Sequence, residues 1–171
     1  MSIEEEAAAP AGLGHLPVTV VDVHLDPPGV TDGGLVLLQE SVAPNRYLRI
    51  IVGRYEAVAI ARAFHGAPQT RPTAWDLYLE TLDLLLVRLV AVTITRVEER
   101  RHFFAELELD APGPGSADRV RHHVDARPSD CLALAARREW VEIRVAREVL
   151  DAAGIEPGAS GPETRDETEL N

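Results

Sequence analysis

The stretch from Asp125 to Arg138 reads Asp-Ala-Arg-Pro-Ser-Asp-Cys-Leu-Ala-Leu-Ala-Ala-Arg-Arg, and it decides the predicted fold. Pro128 and Asp130 are typical of the first turn of a helix. That turn lacks intrahelical partners for its N–H groups, and its positive dipole end favours an acid. The apolar run Leu132 to Ala135 would bury the helix against a sheet. The stretch therefore predicts the end of a strand, a charged elbow and a buried helix.

The same succession of strand, elbow and helix is predicted a second time, around Gly53. The apolar run Tyr47 to Val52 is typical of a central strand, and apolar residues recur at helical spacing from Ala57 to Phe64. A shift of 74 residues places Glu56 on Asp130. An internal duplication is therefore predicted.

The predicted elements follow one another as three strands, two helices, three strands, a helix, a short strand and a last helix. This order predicts an α+β fold in which two β-β-β-α units form a mixed sheet with helices packed on one face. The predicted strands cover residues 18–25, 35–40, 47–52, 87–97, 102–109, 119–125 and 140–143, and the last helix covers residues 144–153.

The length of 171 residues is enough for one domain, which is predicted over residues 18–155. Residues 1–17 and the acidic residues 156–171 are predicted to be a disordered lead and tail, because they lack hydrophobic patterning. The single Cys131 excludes an intramolecular disulfide, and its apolar neighbours indicate an inert buried thiol. No apolar stretch is long enough to span a membrane, and the acidic start is unlike a signal peptide, so the expected location is the cytoplasm.

The formal net charge of −11 lies mostly at the two ends of the chain, where acids outnumber Arg. The chain contains seventeen Arg and no Lys. The Arg side chain can bind phosphate through two parallel hydrogen bonds. The sequence pI of about 4.9 argues against broad, sequence-blind binding to nucleic acid. A local basic groove is compatible with these values.

Three stretches carry a resemblance to a known family. They read Tyr-Leu-Arg-Ile-Ile-Val-Gly-Arg-Tyr-Glu-Ala-Val-Ala-Ile-Ala at 47–61, Arg-Pro-Thr-Ala-Trp-Asp-Leu at 71–77, and Val-Asp-Ala-Arg-Pro-Ser-Asp-Cys-Leu-Ala-Leu-Ala at 124–135. In these stretches the chain resembles the bifunctional nuclease (DUF151) family, and the resemblance covers about Val18 to Ile155. It implies an α+β fold with a repeated β-β-β-α unit and a nuclease activity on DNA and RNA.

Two places depart from the pattern that this resemblance implies. Ala74 and Trp75 stand where the family usually has Thr and His, and Arg49 and Ile51 stand where its strand usually has Pro and Trp. The resemblance therefore transfers no residue as a proven catalyst.

Hydrolysis of a phosphodiester needs carboxylates that hold a divalent cation, an activated water, and positive charge that meets the developing charge on phosphate. The candidate catalytic residues and metal ligands are acids at the ends of predicted elements, namely Glu56, Asp76, Asp125 and Asp130. The candidate phosphate-binding residues are their neighbours Arg54, Arg71 and Arg127. Oxygen ligands of this kind suit Mg²⁺ or Mn²⁺, and no organic cofactor is expected.

Structural roles account for the same residues equally well at this point. The helix dipole alone stabilises an acid in a first turn by about 0.3–1 kcal/mol. Asp125 with Arg127, and Asp76 with Arg71, would also suit structural ion pairs. The adjacent His122 and His123 face opposite sides of a strand, so they cannot line one site together.

Two functions therefore stay open. The first is a nuclease that acts on DNA or RNA with the help of a divalent metal. The alternative is a non-catalytic binding or regulatory module that uses the same pocket of acids and Arg for an anion or a protein partner. The acidic core and Trp75 at the usual His position favour the alternative. Apolar helices and exposed strand edges predict a homo-oligomer, with a dimer as the expected state.

Overall fold

A computed structural model describes residues 14–26, 33–68, 70–99, 102–113, 115 and 118–158. The strands are β1 His15–Leu25, β2 Gly33–Glu40, β3 Tyr47–Gly53, β4 Arg88–Glu98, β5 His102–Pro112, β6 Arg119–Ala126 and β7 Glu142–Ala146. The helices are α1 Arg54–Phe64, α2 Ala74–Leu84, α3 Pro128–Ala135 and α4 Arg147–Ala153. None of the described helices is long and apolar enough to cross a membrane.

The seven strands form one mixed sheet, which confirms the predicted α+β class. Their order across the sheet is β3-β2-β1-β7-β4-β5-β6. Within β1–β3 and within β4–β6 the pairing is antiparallel, and β7 joins the two groups by pairing antiparallel with β1 and parallel with β4. Two β-β-β-α units would give this mirrored order, although the duplication itself stays a prediction.

The helices pack on one face of the sheet, as the alternating burial of the strands shows. In β2, every second residue from Gly34 to Glu40 is buried. Gly34 lies directly beneath α1, because a Cβ placed there would come within 2.5 Å of the Cβ of Ala57. The buried side chains of all four helices and of the inward strand residues join in one hydrophobic cluster. The opposite face of the sheet carries the charged residues of β5, β6 and β7.

Most of the predicted elements are confirmed, and the differences lie at their ends. The strand predicted from Val18 begins at His15, because residues 15–18 pair with β7. The bounds predicted for the short strand, residues 140–143, are wrong by two to three residues. The observed strand β7 covers Glu142–Ala146, and its Val145 is completely buried. The last helix therefore begins at Arg147 and not at residue 144. The rest of the predicted lead and tail, residues 1–13 and 159–171, lies outside the described residues.

The sheet curls around α3. This helix buries Cys131 to Ala135 and contacts β3, β4, β5 and β7, which are spread across the sheet. The edge strands β3 and β6 therefore approach each other on the side of the helices, although five strands separate them in the sheet. Each edge strand leads into a helix of this layer, β3 into α1 and β6 into α3.

Candidate functional site

The two predicted elbows meet in space. Gly53 is the N-cap of α1 and Arg127 is the N-cap of α3, so Glu56 and Asp130 both occupy the third position of their helices. Arg127 joins them: its Nε donates to Asp130 Oδ2 at 2.9 Å, and its Nη2 donates to Glu56 Oε1 at 3.2 Å. We call the residues Gly53–Glu56 the first elbow and Arg127–Asp130 the second elbow.

A cleft of about 410 Å³ opens between the two elbows and is called the elbow cleft below. Its walls come from the end of β3, the first turns of α1 and α3, and the start of β5. They comprise Ile50, Ile51, Val52, Gly53, Glu56, His102, Phe103, Arg127, Pro128 and Ser129. The positive ends of two helix dipoles therefore face one cleft, an arrangement that favours an anion.

Arg127 is the most accessible charged group of this cleft. Its side chain is 67% exposed, compared with 17% for Glu56 and 32% for Asp130. The hydrogen bond to Asp130 raises the pKa of the Arg127 guanidinium further above its ordinary value. Its Nη1 makes no hydrogen bond to any other residue that the structure describes. The two acids thus hold the guanidinium in place and leave one of its edges open to a ligand.

Asp130 has a second donor, which comes from α2. The indole Nε1 of Trp75 donates to Asp130 Oδ1 at 3.2 Å. An indole N–H can only donate, and so can the Arg127 guanidinium, so Asp130 accepts from both of its neighbours. Trp75, which stands where the family usually has His, therefore contacts one of the two acids of the site.

Ser129 and His102 line the elbow cleft, and neither was among the predicted site residues. Ser129 is only 9% exposed, and its hydroxyl makes no hydrogen bond within the described part of the chain. His102 opens β5 and lines the cleft together with its neighbour Phe103. The run Pro-Ser-Asp is a local signal that could have singled out Ser129. His102 reaches the cleft only because the sheet curls, and no local signal indicates that.

Asp76 lies outside the elbow cleft and stabilises the start of α2. Its Oδ2 accepts from the backbone N–H of Thr73 at 2.7 Å and from the Thr73 hydroxyl at 2.6 Å. Its Oδ1 accepts from Arg137 Nε at 2.7 Å, and Arg137 is almost completely buried. Burial alone would raise the pKa of Asp76, but the bonds from Thr73 and Arg137 lower it below its ordinary value. The predicted ion pair of Asp76 with Arg71 is therefore wrong, because Arg137 takes that place.

Asp125 also lies outside the elbow cleft. It pairs with Glu106 across β5 and β6, and in antiparallel strands such paired residues point to the same face. The next pair, Leu107 with Val124, faces the helices, so Asp125 faces the open side of the sheet. The prediction that Asp125 would join Asp130 is wrong, since the strand alternation turns its side chain away.

Two of the predicted phosphate-binding residues are placed apart from Arg127. Arg54 is the first residue of α1. Its Nη1 donates to the backbone carbonyl of Asp26 at 3.0 Å, and this hydrogen bond holds the Arg54 side chain near the end of β1. Arg71 is exposed in the connection between α1 and α2 and does not line the elbow cleft. Of the three predicted Arg residues, Arg127 is the one that the fold brings into contact with Glu56 and Asp130.

The four predicted acids do not form one metal centre. Glu56 and Asp130 share Arg127, whereas Asp76 and Asp125 lie elsewhere for the reasons above. Among the described residues, no group of three or more His, Cys, Asp and Glu is arranged to hold a metal ion. Glu56 and Asp130 alone suit a cation that arrives with the phosphates of a ligand, since Mg²⁺ is commonly held by one or two carboxylates and substrate phosphates. The use of Mg²⁺ or Mn²⁺ stays a prediction.

Cys131 follows Asp130 in α3 and is completely buried. Burial raises the pKa of its thiol to about 12. A thiol with such a pKa is protonated at neutral pH and a poor nucleophile, which agrees with the inert role expected for it.

Comparison with known proteins gives the site a family context. A family model described as the bifunctional nuclease domain matches residues 36–158, which include both elbows. Two proteins of Mycobacterium tuberculosis, named uncharacterized protein MT1877 (strain CDC 1551 / Oshkosh) and uncharacterized protein Rv1829 (strain ATCC 25618 / H37Rv), are each similar to this chain. Each is 34% identical over 138 residues, which are 81% of this chain and 76% of the relative.

Proposed function

The chain belongs to the bifunctional nuclease domain family, and from that premise we propose that it hydrolyses phosphodiester bonds of nucleic acid at the elbow cleft. One observation carries the proposal beyond the family description. The first turns of two helices and the exposed Arg127 converge on one cleft that Glu56 also lines, and Asp130 bonds to Arg127 beside it. The cytoplasm stays the expected place of action.

Arg127 would receive the phosphate. Its open Nη1 edge and the N-terminal turns of α1 and α3 supply positive potential where negative charge develops during hydrolysis. Glu56 and Asp130 hold the guanidinium in one orientation, so little rearrangement is needed when substrate binds. The buried Ser129 offers a further hydroxyl at the same helix start.

The carboxylates of Glu56 and Asp130 would activate the attacking water. Glu56 is the less exposed of the pair and lines the cleft, so in this proposal Glu56 accepts a proton from the attacking water. Glu56 and Asp130 are also the residues that would hold Mg²⁺ or Mn²⁺ together with the substrate. When bound, such an ion stabilises developing charge and lowers the pKa of its water.

The alternative is a non-catalytic module that binds an anion or a protein partner in the same cleft. The observation in its favour is that Arg127 is already bonded to two acids, so the cleft carries little net positive charge. Such a module would bind nucleic acid or another anion and leave it uncut.

A nicking assay tests the proposal. Purified protein with Mn²⁺ should convert supercoiled plasmid to the nicked form, and EDTA should stop the conversion. Arg127→Gln and Asp130→Asn should each reduce the rate by roughly a hundredfold or more. Arg127→Gln removes the positive charge that meets the developing charge on phosphate, and Asp130→Asn removes a carboxylate that orients Arg127 and would hold the metal ion.

Asp83→Asn is the matched control. Asp83 also forms an ion pair with Arg at 2.6 Å, but with Arg138 and outside the elbow cleft. Its variant should nick at the wild-type rate. Equal rates for Asp130→Asn and wild type would place the activity elsewhere or in a contaminant. Binding of labelled oligonucleotide without any cleavage would favour the alternative module.

A further inference from the structure

The two most exposed large apolar side chains of the described residues flank the elbow cleft. Tyr55 is 85% exposed and Ile51 is 81% exposed. Tyr55 lies in the first turn of α1, between Gly53 and Glu56, both of which line the cleft. Ile51 is itself part of the cleft wall. Both residues belong to the stretch 51–56 that forms the β3–α1 wall of the cleft, and we call the pair the apolar ledge.

A second hollow lies on the other side of Ile51. It measures about 650 Å³ and is lined by His24, Asp26, Gly33, Gly34, Leu35, Arg49, Ile51, Val52 and Gly53. Ile51, Val52 and Gly53 are common to the two walls, so the edge strand β3 forms a ridge between the hollow and the elbow cleft. A ligand that enters the cleft can therefore continue over Ile51 into the hollow.

Arg49 supplies a positive charge at the far side of this ridge. It lies two residues before Ile51 on the same strand, so the two Cα atoms are roughly 7 Å apart and their side chains share one face. Arg49 makes no hydrogen bond or ion pair with another described residue, which leaves its guanidinium available. The order along the rim is thus Arg127, the apolar ledge, then Arg49.

We propose that the site receives an unpaired nucleic-acid strand, with bases stacked on Tyr55 and Ile51 and phosphates bound by Arg127 and Arg49. This inference rests on the proposed function. The apolar ledge lies between two Arg side chains, and a single strand alternates phosphates with bases in the same way. The bases of a single strand are free to stack on the ledge. In a duplex the base faces are covered, and binding depends on many phosphate contacts. Among the described residues that line the cleft and the hollow, Arg127 and Arg49 are the two Arg side chains, so few such contacts are available.

Fluorescence anisotropy on the full chain tests the inference, with labelled oligo-dT, oligo-U and a hairpin duplex of equal length as probes. The single strands should bind more tightly than the duplex. Tyr55→Ala should weaken their binding roughly tenfold or more, and Tyr55→Phe should retain it, because stacking needs the ring and not the hydroxyl. Two phosphate contacts predict a slope of roughly −1.4 when log affinity is plotted against log salt concentration.

Val42→Ala is the control, since Val42 is 48% exposed but lies in the turn between β2 and β3, away from the elbow cleft and the hollow. It should leave the affinity unchanged, and circular dichroism of each variant should match that of wild type. Binding of duplex equal to that of single strands, with Tyr55→Ala unaffected, would overturn this inference and leave the proposed function standing. Absence of both binding and cleavage for every nucleic-acid probe would overturn the two together.

Discussion

At the scale of single residues, Gly53 is what allows Glu56 to reach the second elbow. A Cβ on residue 53 would lie 2.5 Å from Glu56 Oε2, which is the end of a flexible side chain. The backbone at Gly53, with φ −64° and ψ 158°, is accessible to alanine. Gly53→Ala should therefore displace the Glu56 carboxylate from Arg127 and reduce both oligonucleotide affinity and plasmid nicking several-fold.

The same substitution should have a small effect on stability. Alanine is a poorer N-cap than glycine, so a loss of up to about 1 kcal/mol in the free energy of unfolding is expected in urea titrations. Gly14→Ala is the control, because a Cβ on residue 14 meets no atom within 4 Å. Unchanged affinity and nicking in Gly53→Ala would show that the position of Glu56 does not matter to the site.

At the scale of elements, the start of α2 depends on an ionised Asp76. Its folded-state pKa is lowered, so its contribution to stability is present above the ordinary pKa of Asp, about 3.9, and is lost as pH falls through the lower folded value. Asp76→Ala removes the carboxylate that accepts from the Thr73 backbone N–H at the start of α2. It also leaves the buried Arg137 without its ion-pair partner. A loss of about 2 kcal/mol is expected at pH 7, shrinking toward about pH 3.

Urea titrations of wild type and Asp76→Ala across this pH range check the expectation. Asp83→Ala breaks an ion pair whose acid is 61% exposed, so it should change stability little at any pH. A stability difference for Asp76→Ala that does not vary with pH would mean that the charge of Asp76 is unimportant.

The elements themselves were largely predictable, because hydrophobic periodicity and helix-start chemistry are local properties of the sequence. Pro128 and Asp130 identified α3. The shift of 74 residues aligned Glu56 with Asp130 at the start of two helices, and in the structure both of these acids bond to Arg127. Asp125 could not be assigned in the same way. Its orientation depends on the register with Glu106 and on which face of the sheet the helices cover, and neither is a local property.

At the scale of the whole molecule, an apolar surface remains uncovered beside the edge strand β6. Leu77, Leu84, Leu85 and Leu86 are each 62–79% exposed, and Val120 and Val124 of β6 are each 40% exposed. Arg119 Nη2 donates to the carbonyl of Leu86 at 3.0 Å, so the end of the α2 region and β6 lie side by side. We expect a homodimer through this surface, since apolar patches of this kind mark protein interfaces.

Sedimentation velocity at micromolar concentration tests the expected dimer. Wild type should sediment as a dimer and Leu84→Glu as a monomer with an unchanged circular dichroism spectrum, because a charge on the surface opposes its burial. Thr81→Glu adds the same charge to an exposed position one turn earlier on α2 and measures how far the interface extends. A monomeric wild-type protein would contradict the expectation.

The central position of β7 in the sheet has a consequence for folding during translation. β7 is among the last described elements along the chain, yet it is the strand that joins β1 to β4. A nascent chain emerges from its N-terminus first, so β1–β3 and β4–β6 can each form hairpins before they share a sheet. Until residues 142–146 leave the ribosome, the two elbows belong to separate halves. We therefore expect the cleft to assemble, and any activity that depends on it to begin, only after translation of this strand.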